Sequence, residues 1–205
     1  MNLPNKLTVL RILIVPFMVA TLLIDFPFHM LISGVLFGIA SLTDYFDGKI
    51  ARERNLITDF GKFADPIADK ILVISALVCF LSMGLCDPII ILIVLFREFV
   101  VTSIRLSAAS NGTVVAANMW GKVKTVTQMV AIIAVFVFQV VLEVLEYFAT
   151  YRNVALESIS TYLKIEFLTE VFFYVGEVLM WISVVFAVIS GLKYVLDNKD
   201  CISQM

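Results

Sequence analysis

Four aspartates, Asp44, Asp47, Asp65 and Asp69, stand close together in a chain that is 61% hydrophobic. Asp44 and Asp47 are three residues apart and Asp65 and Asp69 four, so each pair occupies one face if its segment is helical. Asp44, Asp47, Gly48, Ala51 and Arg52 form one stripe at i, i+3, i+4, i+7 and i+8. Gly61, Asp65 and Asp69 form a second stripe at i, i+4 and i+8. Small residues beside acids leave room for a ligand to approach the backbone. Acids converging at the edge of a membrane repel one another unless cations bind between them. Carboxylate oxygens suit hard ions such as Mg²⁺ or Mn²⁺. Two such ions about 3.5–4 Å apart could clamp a diphosphate and stabilise in-line displacement at phosphorus. The plainer alternative is an interfacial charge belt, with the acids paired to Lys49, Arg52, Lys62 and Lys70.

These residues must be held by elements suited to lipid. The chain has 205 residues and a mean hydropathy of +1.01, which places it among integral membrane proteins. Apolar segments of about 16–20 residues recur, the length a helix needs to cross a bilayer. They predict an all-α membrane protein with six transmembrane helices, at about 7–25, 29–48, 66–86, 88–108, 122–146 and 168–193. Short polar breaks separate them at Asp25-Phe26-Pro27, 49–62, Asp87-Pro88 and 109–121. The longer break at 147–166 is expected to hold a short interfacial helix. With no Gly-, Pro- or Ser-rich linker and no repeat, residues 1–205 read as a single domain. Lys6 and Arg11 before an apolar run resemble a signal peptide, but no small-residue cleavage site follows, so a retained first span is expected. Cys79, Cys86 and Cys201 lack metal-ligand spacing and read as unpaired thiols.

Charge placement supplies orientation. Lys6, Arg11, Lys49, Arg52, Arg54, Lys62, Lys70, Arg105, Lys122, Lys124, Lys193 and Lys199 fall on one side of this layout; only Arg152 and Lys164 fall on the other. The positive-inside rule then puts both termini and the acidic stripes in the cytoplasm. Gly34 and Gly38 form a G-x-x-x-G in the second span, readable as close helix packing, as dimerisation or as chance.

The acidic segment reads D-x2-D-G-x2-A-R-x8-G-x3-D-x3-D without departure. It resembles the signature of the CDP-alcohol phosphatidyltransferase family, and six spans agree with that fold. The resemblance implies transfer of a phosphatidyl or related group from a CDP-linked donor to an alcohol, with release of CMP. It implies that Asp44, Asp47, Asp65 and Asp69 are metal ligands holding two Mg²⁺ or Mn²⁺ ions, and that Asp69 is also the general base. Gly48, Ala51, Arg52 and Gly61 match positions that accommodate the CMP portion of CDP-diacylglycerol. Activity is then expected to fall in acid as the base and the ligands protonate.

The rest of the chain bears on the acceptor. Asn2-Leu3-Pro4-Asn5-Lys6-Leu7-Thr8 with Arg11 and Pro16, Arg97-Glu98 with Arg105, and Gly121-Lys122-Val123-Lys124-Thr125 are similar to the phosphatidylglycerophosphate synthase branch of the family. That likeness implies sn-glycerol 3-phosphate as acceptor, a homodimer, the cytoplasmic membrane as location, and no nucleic-acid partner. Charge supports an anionic acceptor. Arg105, Lys122 and Lys124 lie at the cytoplasmic ends of their spans, and Arg97 sits about 12 Å deeper than Arg105. An arginine deep in a span pairs or functions. Adjacent helix residues diverge by about 100°, which makes Glu98 a poor partner for Arg97. Arg97, Arg105, Lys122 and Lys124 are therefore the candidate acceptor-phosphate residues, Arg being better suited to bidentate contact. Inositol phosphate or phosphatidylglycerol would also call for cations; serine or an aminoalcohol would not.

Asn5 and Thr8 are readable as nucleotide contacts or as caps of the first helix. His29, the only histidine, falls near the outer interface and reads as structural. Phe26, Phe28, Tyr147, Phe148 and Tyr151 read as interfacial aromatics in lipid contact. Glu170 and Glu177 lie on the outer side and read as interfacial. A divalent-cation transporter is the alternative of another class. Its acids would line a path across the bilayer, whereas these cluster at one boundary.

Overall fold

The computed structural model describes residues 2–53, 59–110, 119–151 and 158–199. They form six helices: α1 Leu3–Leu23, α2 His29–Glu53, α3 Asp59–Ser82, α4 Pro88–Ser110, α5 Met119–Tyr151 and α6 Ser158–Asp197. Each overlaps one of the segments expected to span. The breaks at Asp25-Phe26-Pro27 and Asp87-Pro88 fall where expected; Asp87 Oδ1 accepts the Ile89 amide at 2.7 Å, satisfying a donor in the first turn of α4. Gly84, with φ of +73°, ends the turn after α3.

Two boundaries differ from expectation. The polar break predicted at 49–62 is mostly helix, since α2 runs to Glu53 and α3 begins at Asp59. Both acidic stripes therefore ride on helix rather than at loop edges. The expected interfacial helix within 147–166 does not stand as a separate element among the described residues. Residues 147–151 complete α5 and 158–166 open α6. Good helix formers such as Leu163, Lys164 and Glu166 simply extend the apolar run, and residues 152–157 lie outside the described part.

Three helices contain stretches long and apolar enough to cross a membrane by length and composition: Asn5–Leu23, Met119–Ala149 and Lys164–Asp197. α2 holds a shorter apolar stretch, His29–Asp44. The bundle turns large apolar side chains outward, among them Phe17, Leu92, Phe96, Phe99 and Val126. Such a surface has no stable place in water and fits lipid. This is a multi-pass membrane protein.

The packed interior is built from Met18, Phe37, Ala40, Ala76, Phe80, Ile90, Ile132, Phe136 and Met180. Phe136 of α5 meets the rings of Phe37 at 5.5 Å and Phe80 at 4.9 Å between centroids. Gly34 makes room for it; a Cβ there would lie 3.4 Å from the Phe136 ring. That glycine serves packing inside the chain, whereas Gly38 faces open space. Cys79 and Cys86 are buried free thiols; Cys201 lies outside the described residues. His29 opens α2 with its ring tilted against Phe26, consistent with a structural role. Phe28 and Tyr147 are in ring contact at 5.0 Å, so these aromatics pack on each other as well as facing outward.

α1 organises the half of the bundle that carries the acidic residues. It packs extensively on both α2 and α3, while α2 and α3 touch each other little. Its inward stripe runs Asn5, Thr8, Arg11, Val15, Met18 and Leu22, all buried. The stripe is polar over its first two turns and apolar beyond.

Candidate functional site

The acidic side of the site rests on α1. Arg11 is fully buried, and its Nη1 lies 2.5 Å from Asp44 Oδ1, while Asp44 remains 45% exposed. Asp69 is exposed on α3 and within electrostatic range of Asp44, Arg11, Lys124 and Glu98. Asp44 of α2 and Asp69 of α3 thus feel each other's charge, and among the described residues α1 packs against both helices. Asp47, Gly48, Ala51 and Arg52 fall on α2, and Gly61 and Asp65 on α3. Their side chains lie outside the described residues. Among the described residues no group of three or more His, Cys, Asp or Glu side chains is gathered as metal ligands. What is present, Asp44 and Asp69, is water-accessible and oxygen-only, which fits a hard divalent ion.

Asn5 and Thr8 do not cap the first helix. The cap position belongs to Asn2, whose side chain makes no capping bond. Asn5 and Thr8 are instead buried on the α1 stripe that leads to Arg11.

The basic side is a braced cluster. Glu98 of α4 accepts hydrogen bonds on Oε1 from Lys124 Nζ of α5 at 2.5 Å and from Arg97 Nη1 at 2.8 Å. Lys70 Nζ of α3 lies 3.9 Å from Glu98 Oε2 and donates to the Thr102 hydroxyl. The expectation that Glu98 is a poor partner for Arg97 is therefore wrong. The two Cα–Cβ bonds diverge, but the long arginine stem carries the guanidinium around the helix to an oxygen that Lys124 also holds. Lys124 is almost fully buried, Arg97 and Glu98 largely so, and Lys70 partly. Arg105 and Lys122 are exposed.

α6 supplies residues that the sequence reading did not single out. Ser190 accepts a hydrogen bond from Arg97 Nη2 at 2.8 Å. Gly191 lets the arginine stem pass; a Cβ there would come within 3.1 Å of Arg97 Cγ. Tyr194, itself buried, accepts a hydrogen bond from Arg105 Nε at 3.2 Å, with the guanidinium 5.5 Å from its ring centre. Ser190, Gly191 and Tyr194 share one helix face, and that face holds both candidate arginines of α4. The only trace in the sequence is the run of small and polar residues Ser190-Gly191 in an otherwise apolar helix.

Comparison with known proteins gives a consistent result. The family model described as CDP-alcohol phosphatidyltransferase matches residues 1–189. The chain is 35% identical to the CDP-diacylglycerol–glycerol-3-phosphate 3-phosphatidyltransferase of Bacillus subtilis (strain 168), over 98% of this chain and 97% of that one. It is 36% identical to the protein of the same name from Rickettsia bellii, over 94% and 93% of the two chains. Similarity to the Salmonella typhimurium protein of that name is 39% identity over 64% of this chain.

Proposed function

Starting from the fact that this chain belongs to the CDP-alcohol phosphatidyltransferase family, we propose that it transfers the phosphatidyl group of CDP-diacylglycerol to the 1-hydroxyl of sn-glycerol 3-phosphate. The products are phosphatidylglycerophosphate and CMP. The observation that carries this reading is the adjacency of two opposite electrostatic environments, Asp44 and Asp69 on one side and the Lys124–Glu98–Arg97 cluster on the other. A diphosphate donor and an anionic acceptor need such a pair of environments side by side. The names of the relatives supply the acceptor.

Asp44, Asp47, Asp65 and Asp69 would hold two Mg²⁺ or Mn²⁺ ions. When bound, these would neutralise the donor diphosphate and the charge that develops on leaving CMP. Asp69 takes the proton of the acceptor hydroxyl; the oxygen attacks the phosphorus bearing the lipid, and the bond from that phosphorus to CMP breaks. Gly48, Ala51, Arg52 and Gly61 accommodate the cytidine nucleotide, and Asn5 and Thr8 contribute to its binding. Arg11 orients Asp44 from behind and keeps that carboxylate from turning away. Arg97, Arg105, Lys122 and Lys124 bind the acceptor phosphate. All six helices span the cytoplasmic membrane, both termini and the site face the cytoplasm, and the chain works as a homodimer.

Purified protein incubated with CDP-diacylglycerol, glycerol 3-phosphate and Mg²⁺ is expected to release CMP only when both substrates are present. Substituting inositol phosphate, phosphatidylglycerol or serine as acceptor is expected to give much less. Metal flux into liposomes without CMP release would overturn the enzyme reading altogether.

A further inference from the structure

The cluster around Glu98 has more cationic capacity than its own carboxylate consumes. Three cations, Lys70, Arg97 and Lys124, surround one carboxylate. Among contacts between the described residues two positive charges remain uncompensated, with Asp69 in electrostatic range of Lys124. A phosphate monoester carries a charge of about −1.5 to −2 at neutral pH, and a phosphodiester only one. The donors also outnumber the acceptors. Lys124 and Lys70 carry three N–H bonds each and Arg97 five, against the oxygens of Glu98, Ser190 and Thr102. Arg97 Nε is buried and has no hydrogen-bond partner among the described residues. A buried donor left unpaired is costly unless a ligand takes it up.

Glu98 does something that the cations cannot do alone. Its Oε1 holds Lys124 and Arg97 within hydrogen-bond distance of a single point, although they come from different helices and repel each other. Thr102, one turn further along α4, receives Lys70 from a third helix. Ser190 fixes the far end of the Arg97 guanidinium from a fourth. The donors are therefore converged before any ligand arrives, which lowers the ordering cost of binding.

We infer that Glu98 is a positioning residue that gathers Lys70, Arg97 and Lys124 into a receptor for a phosphate monoester dianion. The inference rests on the proposed reaction and deepens it. It adds Lys70 to the acceptor site and makes the acceptor class a doubly charged phosphate rather than any anion. Two effects of removing the Glu98 charge oppose each other. Attraction for an anion rises, and convergence of the donors is lost. Convergence dominates, because an oxyanion must be met by several donors at once and like charges in a poorly hydrated site move apart.

The test uses the purified full-length chain in detergent and follows CMP release. Glu98→Gln is expected to raise KM for glycerol 3-phosphate by about tenfold or more. KM for CDP-diacylglycerol should stay within about twofold, and Glu98→Asp should recover part of the loss. Lys70→Gln is expected to act in the same direction. Wild-type enzyme should prefer glycerol 3-phosphate to its methyl phosphodiester by at least about tenfold, and Glu98→Gln should narrow that preference. If Glu98→Gln does not fold, Thr102→Val withdraws only the hydroxyl anchor of Lys70 and should still raise the acceptor KM severalfold. An unchanged or lower acceptor KM in these variants, or an equal rise in both KM values, would overturn the inference. Wild-type release with inositol phosphate but not glycerol 3-phosphate would overturn the proposed reaction instead; a Glu98→Gln effect on the inositol phosphate KM would then still support the dianion receptor.

Discussion

The acidic and basic sides of the candidate site are built on opposite terms. On the acidic side, Asp44 and Asp69 stand at the water-accessible edge of α2 and α3, and Arg11 of α1 meets one of them from below. On the basic side, Lys124, Arg97 and Glu98 are largely buried and cross-braced between α4, α5 and α6. The difference lies in where each half finds its neutralising charge. On the proposed reaction the carboxylates take up metal and must be reachable by ions from solution, in keeping with the exposure of Asp44 and Asp69. Cations destined for a substrate that comes and goes must be tolerable between turnovers, so the protein supplies part of the counter-charge itself.

Substitutions can break this contrast at either side. The largest effect is expected at the acidic edge. Asp69→Asn should cut CMP release by about 10³-fold, as loss of a general base does, without loss of folded protein. Arg11→Ala should instead be felt in stability. It empties a fully buried position and removes the ion pair to Asp44, at a cost of about 3 kcal/mol, read as a lowered unfolding midpoint in detergent. Metal removal separates the two sides directly. Chelation should abolish turnover, and saturating Mn²⁺ at about a hundred times its Kd should stabilise the wild-type fold by about 2.7 kcal/mol. That stabilisation should shrink in Asp44→Asn and persist in Lys124→Gln. A milder change is expected from Gly191→Ala. Its Cβ must push the Arg97 stem, so the acceptor KM should rise a few-fold while KM for CDP-diacylglycerol holds. Smallest of all is Gly38→Ala, which meets nothing within 4 Å among the described residues. Any effect on stability should stay within about 1 kcal/mol, so a change in the sedimenting species would locate a second copy at that face.

The same contrast explains what could be read from the chain before it was folded. The acidic half is written in 26 consecutive residues whose helical periods align the acids, so type and spacing suffice. Helix number and position were equally legible, because apolar length is a property of the segment itself. The basic half is assembled from residues as far apart as Lys70 and Tyr194, and no local period joins them. Glu98 was set aside on the angle between neighbouring side chains, a rule that holds for short side chains and fails for arginine. Arg11 was counted as a topological charge. Its membership of the buried stripe with Asn5 and Thr8 becomes evident only once α1 is seen wedged between α2 and α3.

The burial of Arg11 has a consequence for biosynthesis. α1 carries a residue that resists hydrocarbon by about 2.5–3.5 kcal/mol at mid-depth, and the carboxylate that pairs with it lies on the next helix. A lone first helix is therefore an awkward passenger for the insertion machinery. Its stable form is a hairpin completed by the next helix, whose last turns bring the aspartate to the arginine. The Arg11–Asp44 ion pair thereby favours delivering α1 and α2 to the bilayer together.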